Sequence, residues 1–255
     1  MKMNKLLRAL GTVALVLVAA GGAQALSQTT TLADLLAGQS ITAGDTVFDQ
    51  WRLIAEDYSD PALTVDPANI AITARNDGGL DPGPGLHFSV SNSALDVTGG
   101  LDATGAPVYT YIDYMFGFRI TAGPGLLIKD NGLAITDAFV TNSGDNGMSI
   151  QEFVGTDPTL VEANSQPDLA TKYVEFSWLD PGPAFFDLTD SASFAPHSQI
   201  YVSKDILVWA SDVNETASLQ GFEQRFSQVP EPCTLLLLGA GLAGVAGATR
   251  RKRKA

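Results

Sequence analysis

The sequence holds a single cysteine, Cys233, so no disulfide can form within the chain. A domain of about 200 residues buries enough core to hold without one. Histidine is nearly absent, with only His87 and His197. Two would suffice for a Ser-His-Asp hydrolase, yet no Gly-x-Ser-x-Gly elbow occurs. Each histidine stands beside a turn and an expected strand, a place for a surface or half-buried residue rather than a base. His-Glu-x-x-His, cysteine clusters and a Gly-x-x-x-x-Gly-Lys-Ser/Thr phosphate loop are all missing, which removes the usual zinc and nucleotide motifs.

Positive charge is also scarce where the bulk of the chain lies. Between Leu26 and Val229, 7 Lys and Arg stand against 27 Asp and Glu, a formal charge of −20. Such a segment repels nucleic acid and anionic membrane surfaces, and it suits a soluble, self-repelling exterior. It is not disordered. Val47-Phe48, Tyr109 to Phe118 and Ile206 to Trp209 carry enough apolar surface to offset the entropy of ordering.

The basic residues gather at the two ends. Lys2, Lys5 and Arg8 precede an uncharged run, Leu10 to Ala20, and then Gly21-Gly22 and Ala23-Gln24-Ala25. Small side chains at Ala23 and Ala25 fit the pocket of signal peptidase, so cleavage is expected between Ala25 and Leu26. The run is short for a retained anchor. Residues 1–25 are therefore expected to be a signal peptide.

The other end has three parts: Val229-Pro230-Glu231-Pro232, then the uncharged Cys233 to Thr249, then Arg250-Arg251-Lys252-Arg253-Lys254. The uncharged stretch of about 17 residues is at the lower edge of what crosses a ~30 Å hydrocarbon core. The basic cluster is retained on the cytoplasmic side and places the domain on the outer face of the inner membrane. Each proline fixes φ and disfavours helix in the residue before it, so the motif reads as extended and open to a protease. Gly239, Ala243 and Gly247 on one face, with Ala240, Gly244 and Ala248 on the next, would allow close approach of another helix.

Val229-Pro230-Glu231-Pro232, Leu235-Leu236-Leu237-Leu238-Gly239 and the Arg250-Arg251-Lys252 cluster together resemble the PEP-CTERM sorting signal. The resemblance covers Val229 to Ala255. It implies recognition by an exosortase, an integral-membrane processing enzyme, in a diderm bacterium that makes extracellular polysaccharide. It further implies a transient inner-membrane tether and delivery to the surface or matrix. Where the family commonly has Ser or Ala after the motif, this chain has Cys233, which is similar in size. The opening of the mature chain, Thr31-Leu32-Ala33-Asp34-Leu35-Leu36 through Ser40-Ile41 and Gly44-Asp45 to Phe48, is similar to that of other exported PEP-CTERM proteins, which implies no activity.

Residues 26–228 read as one domain. A Thr cap, apolar residues at Leu32, Leu35 and Leu36 and a closing Gly38 predict one short helix. Strands are expected at Thr46 to Ile54, Ile70 to Arg75, Leu86 to Ser91, Val108 to Ile120, Leu133 to Thr141 and Ile150 to Val154. More follow at Lys172 to Trp178, Gln199 to Ser203, Ile206 to Ser211 and Gly221 to Phe226. Turns are expected at Asn76-Asp77-Gly78-Gly79, Gly99-Gly100, Asp130-Asn131-Gly132 and Asn142 to Gly147. Val108 to Ile120 has two apolar faces and suits a central position. The expected fold is mainly β: an antiparallel β-sandwich with a short N-terminal helix, plus the signal peptide and a C-terminal transmembrane helix. Leu80-Asp81-Pro82-Gly83-Pro84 recurs as Leu179-Asp180-Pro181-Gly182-Pro183, a Pro-Gly turn signal that is either a coincidence of common turn residues or a mark of equivalent loops in two sheets.

Candidate chemistry in the domain is thin. Acids such as Glu152, Glu162 and Glu175 could pair as in a glycosidase. Asp57, Asp60, Asp77, Asp81, Asp130 and Asp145 lie in oxygen-rich loops of the kind calcium uses, without EF-hand spacing. Exposed Trp51 or Trp178 would favour sugar binding. The leading expectation is a non-enzymatic surface or matrix protein, structural, adhesive or polysaccharide-binding, with no cofactor. A secreted carbohydrate-active or other hydrolase and a calcium-dependent module are the alternatives.

Overall fold

The computed structural model describes residues 28–162, 166–179, 182 and 184–232. The expected signal peptide with Ala23, Ala25 and Leu26, the expected transmembrane stretch and the basic cluster lie outside the described residues.

In chain order come β1 (Thr29–Thr31), α1 (Leu32–Leu36), β2 (Ile41–Ala43), β3 (Thr46–Tyr58), β4 (Ile70–Arg75), β5 (Gly85–Val90) and β6 (Asp96–Thr98). A small ribbon of β7 (Gly100–Leu101) and β8 (Pro107–Val108) precedes the long strands β9 (Thr110–Thr121), β10 (Leu126–Val140) and β11 (Asp145–Gly155). The last are β12 (Ala170–Leu179), β13 (Ala184–Asp187), β14 (Thr189–His197), β15 (Gln199–Ala210) and β16 (Thr216–Pro230).

Two antiparallel sheets pack as a sandwich. The first runs β1-β4-β5-β16-β10-β14, with β6 also on β16, and the second runs β13-β12-β11-β15-β9-β3-β2. The period-2 pattern decides which face is inside. Along β9, Ile112, Tyr114, Phe116, Phe118 and Ile120 are buried, and Ile72, Phe88, Phe222 and Phe226 meet them from the first sheet. Aromatic contacts cross the interface, with Phe48 5.9 Å from Phe226 and Phe88 5.9 Å from Phe116 between ring centroids. Each such side chain contributes roughly 1.5–3 kcal/mol by leaving water.

The short helix forms where its signals lie. Thr31 Oγ1 accepts the Asp34 N–H at 3.2 Å, and Gly38 takes φ +99° while its N–H donates to Leu35 O. That is the left-handed helix end glycine allows. Gly44, at φ +62°, turns β2 into β3.

Two local expectations are corrected. Asp130-Asn131-Gly132 is not a turn but the middle of β10, paired to Ser227, Phe226 and Arg225 of β16. Gln199 to Ser203 and Ile206 to Ser211 are one strand, β15, which runs through Lys204 and Asp205 without a break. Both departures occur where polar side chains point into the core. Asn131 and Lys204 are buried, and Glu152 satisfies both, Asn131 from the opposite sheet and Lys204 from the neighbouring strand β11.

Candidate functional site

The sorting motif is attached to the domain without a linker. Val229 and Pro230 are the last residues of β16, paired with Leu127 and Leu126 of β10. Glu231 continues the pairing by donating its N–H to Gly125 O at 2.9 Å. On the other side of β16, Phe226 N–H donates to Pro84 O and Gln228 N–H to Leu80 O. Residue 230 would face that second side, and proline, having no N–H, ends the ladder there. The motif is extended through Pro230, where β16 ends, and it is held at that end by the sheet.

The outer face of the second sheet carries aromatic and acidic groups side by side. Alternation turns the odd residues of β9, β11, β12 and β15 outward. Register then aligns Ser177, Gly147, Trp209 and Tyr111 in one row. Glu175, Ser149, Leu207, Asp113 and Asp57 form the next row, and Tyr173, Gln151, Asp205 and Met115 the third. The Trp209 indole lies over Gly147, where an added Cβ would stand 2.7 Å from its Cζ2. Its Nε1 donates to Asp145 Oδ1 at 3.3 Å. The rings of Tyr109 and Tyr111 are 5.5 Å apart, and Tyr111 donates to Asp57 at 2.8 Å. Tyr173 donates to Glu175 at 2.6 Å. Burial and that hydrogen bond push the Tyr173 hydroxyl up to about 12. These phenols therefore stay neutral donors across the physiological range. The outer face of the first sheet has a depression of about 490 Å³ beside Leu133, Thr136, Asp190 and Glu223, with no aromatic ring among its lining residues.

A family model for the PEP-CTERM protein-sorting motif matches residues 228–252. The chain ends in a PEP-CTERM sorting signal. Such a signal marks an exported protein that an exosortase processes for the cell surface. The match begins at Gln228, whose Nε2 donates to Thr46 Oγ1 inside the fold, so the signal starts within the last strand of the sandwich. No curated protein matches the chain. Among solved structures it is similar to TmCBM61 in complex with beta-1,4-galactotriose, at 11% identity and TM-score 0.25, over 71% of this chain and 89% of that one. It is also similar to the enzymatically active domain of bacteriophage CBA120 tailspike protein 4, at 13% identity and TM-score 0.24, over 68% of this chain and 19% of that one. Likeness at that level says nothing of ligand or activity.

Upstream of the PEP-CTERM signal, most acids singled out in the sequence go to separate places. Asp77 pairs with Arg225 at 2.8 Å and Asp81 with Lys129 at 3.0 Å, while Asp60 accepts the Ala62 N–H. Asp130 is brought beside Asp81: it lies 3.7 Å from the same Lys129 and accepts the Ser227 N–H, while the Ser227 hydroxyl donates to Asp81. Among the described residues no group of three or more His, Cys, Asp or Glu is placed to hold a metal ion. Glu152, Glu162 and Glu175 are not brought together: Glu152 is in the core, Glu162 lies near Arg52, and Glu175 is outside on β12. His87 is half-buried on β5, and burial lowers its pKa. Asp180, Pro181 and Pro183 of the second Pro-Gly repeat lie outside the described residues.

Sequence reasoning missed Trp209, Tyr173 and Asp205. Their chain positions are far apart, and only the register of β12, β11 and β15 makes them neighbours. Asp205 and Asp113 do form a carboxyl pair. Partial burial, then the hydrogen bond and charge of Asp113, push Asp205 up to about 7. A carboxyl raised in the folded state binds more protons there than in the unfolded chain. Its contribution is therefore fully present below about pH 4 and is lost as pH rises through about 7. Asp205→Asn should raise the urea midpoint at pH 8 and flatten the decline expected of the parent between about pH 4 and 7. An unchanged pH profile would contradict the pairing.

Proposed function

We propose that the sandwich is the working part of a surface or matrix protein, non-catalytic, which binds extracellular polysaccharide through the outer face of its second sheet. The observation that carries this is the band of Tyr109, Tyr111, Trp209 and Tyr173 interleaved with Asp57, Asp113, Asp145, Glu175 and Gln151. Sugar rings offer apolar C–H faces that lie flat on aromatic rings, and hydroxyls that donate to carboxylates. The band supplies both on a rigid, sheet-borne surface. The strongly negative body favours a neutral or cation-bridged polymer over an anionic one. The PEP-CTERM signal supports the setting: a chain tethered at the inner membrane, processed, then delivered where polysaccharide is the surrounding medium.

Two measurements test this. Ending the chain after Pro232 leaves β16 whole and removes the tail; fractionation should then find the protein soluble and absent from the cell surface. Unchanged surface delivery would reject sorting by the tail. Purified protein should co-sediment with polysaccharide prepared from the producing bacterium's matrix. Trp209→Ala combined with Tyr109→Ala should weaken that by about 30-fold, roughly the 2 kcal/mol of a good aromatic anchor. Equal binding by parent and variant would reject the face.

A further inference from the structure

The core holds a primary amine, a primary amide and a carboxylate in mutual contact. Glu152 sits in the middle of the second sheet, in register with Lys172 on β12 and Lys204 on β15. All three point inward, at 0%, 1% and 0% exposure in that order. Asn131, 1% exposed, reaches them from β10 of the first sheet. Lys172 Nζ contacts Glu152 Oε1 and lies 2.5 Å from Asn131 Oδ1. The same Oε1 accepts from Asn131 Nδ2 at 2.6 Å. Oε2 is held by Lys204. One carboxylate oxygen therefore touches both the amine and the amide nitrogen.

Two lysines face one carboxylate. With all three charged, an uncompensated cation would remain in an apolar interior, at high cost. Removing one ammonium proton relieves it. Lys204 is the better cation, since its Nζ lies 5.9 Å and 5.7 Å from the ring centroids of Phe88 and Phe222. Burial lowers the pKa of both lysines, so a free amine is accessible at Lys172.

We propose that Lys172 and Asn131 are joined by an intramolecular isopeptide bond, formed in the folded protein with Glu152 as proton carrier. The Lys172 Nζ lone pair adds to Cγ of Asn131. The proton released from Nζ passes to Glu152 Oε1, the Cγ–Nδ2 bond breaks, and Oε1 returns the proton to the departing nitrogen. A primary amine and a primary amide become one secondary amide and one ammonia. Nothing is oxidised or reduced, and no co-reactant enters. The bond ties the first sheet to the second, 41 residues apart in sequence, in a domain with no cysteine to do so.

The test is a digest of the exported protein with trypsin and a Glu-specific protease, read by tandem mass spectrometry. The expected product is fragment 130–152 joined to fragment 163–175, lighter than their sum by one ammonia, with no tryptic cut after Lys172. Free fragments of full mass would overturn the proposal. So would loss of ammonia confined to fragment 130–152, which signals a succinimide at an Asn-Gly step. The wild-type digest decides the bond whether or not any variant folds. Lys172→Arg and Asn131→Ala should each yield separate fragments, and persistent linkage in either would place the bond elsewhere. Linked fragments in Glu152→Gln would remove Glu152 from the reaction.

Discussion

Glu152→Ala should be among the most damaging single substitutions in the domain, costing about 3–5 kcal/mol and lowering the melting temperature by roughly 10–15 °C. The reason is charge, not volume. Among the described residues Glu152 is the only carboxylate that contacts Lys172 and Lys204, and its removal leaves two buried amines facing each other across β11. Those lysines hold the Glu152 carboxyl below its ordinary range despite full burial. Replacing the whole row is a different matter. Glu152→Met with Lys172→Met and Lys204→Met removes every charge together, and buried ion clusters exchanged for apolar groups of similar volume are often neutral or better. The triple variant also removes any link to Asn131. A cross-link closing a loop of about 40 residues is worth about 4 kcal/mol through the unfolded state. A triple variant as stable as the parent would show that the row contributes no covalent tie. A shortfall near that figure, measured by urea unfolding and beyond the about 1–3 kcal/mol of the stranded Asn131 amide, would match one. A single-site loss well under 2 kcal/mol would instead mean that the lysines reach water.

The same residues mark where the sequence misled. The short helix and strand β4 were legible because their signals are local: a Thr cap, a closing left-handed glycine, and alternation over six residues. Asn-Gly at 131–132 carries an equally local signal, for a turn, and the signal is overridden. What overrides it is Lys172 and Glu152, supplied by the opposite sheet, which no window of sequence contains. Lys204-Asp205 reads as a break for the same reason, since a charged pair inside a strand makes sense only once Glu152 and Asp113 stand beside it. The PEP-CTERM signal lies at the other extreme: motif, apolar stretch and basic end are contiguous, so one segment carries the whole argument. The aromatic face falls between. Tyr109, Tyr111, Asp113 and Met115 share a face in the sequence itself, but their neighbours Trp209 and Tyr173 depend on strand order.

The two tryptophans of interest separate fold from binding. Trp51 suits a sugar platform by residue type alone, but it is a core residue, 6% exposed, with its ring 4.3 Å from Phe118 and its Nε1 donating to Phe48 O. An irregularity in β3 puts it there. Gln50 adopts φ +52°, the register slips between Asp49 and Arg52, and the extra residue turns Trp51 inward beside Phe48. Trp51→Ala should therefore cost about 3–5 kcal/mol, the loss expected for a large aromatic leaving a packed interior. Its effect on polysaccharide binding should vanish once measured below the lowered melting temperature. Trp209→Ala should do the reverse: it trims an outward ring lying over Gly147, moves the urea midpoint little, and weakens co-sedimentation with matrix polysaccharide. If instead Trp209→Ala unfolds the protein while Trp51→Ala spares it, then the inner and outer faces of the second sheet have been exchanged. Every row of register from β12 to β9 would then have to shift by one residue, because in a strand a single step moves each side chain to the opposite face.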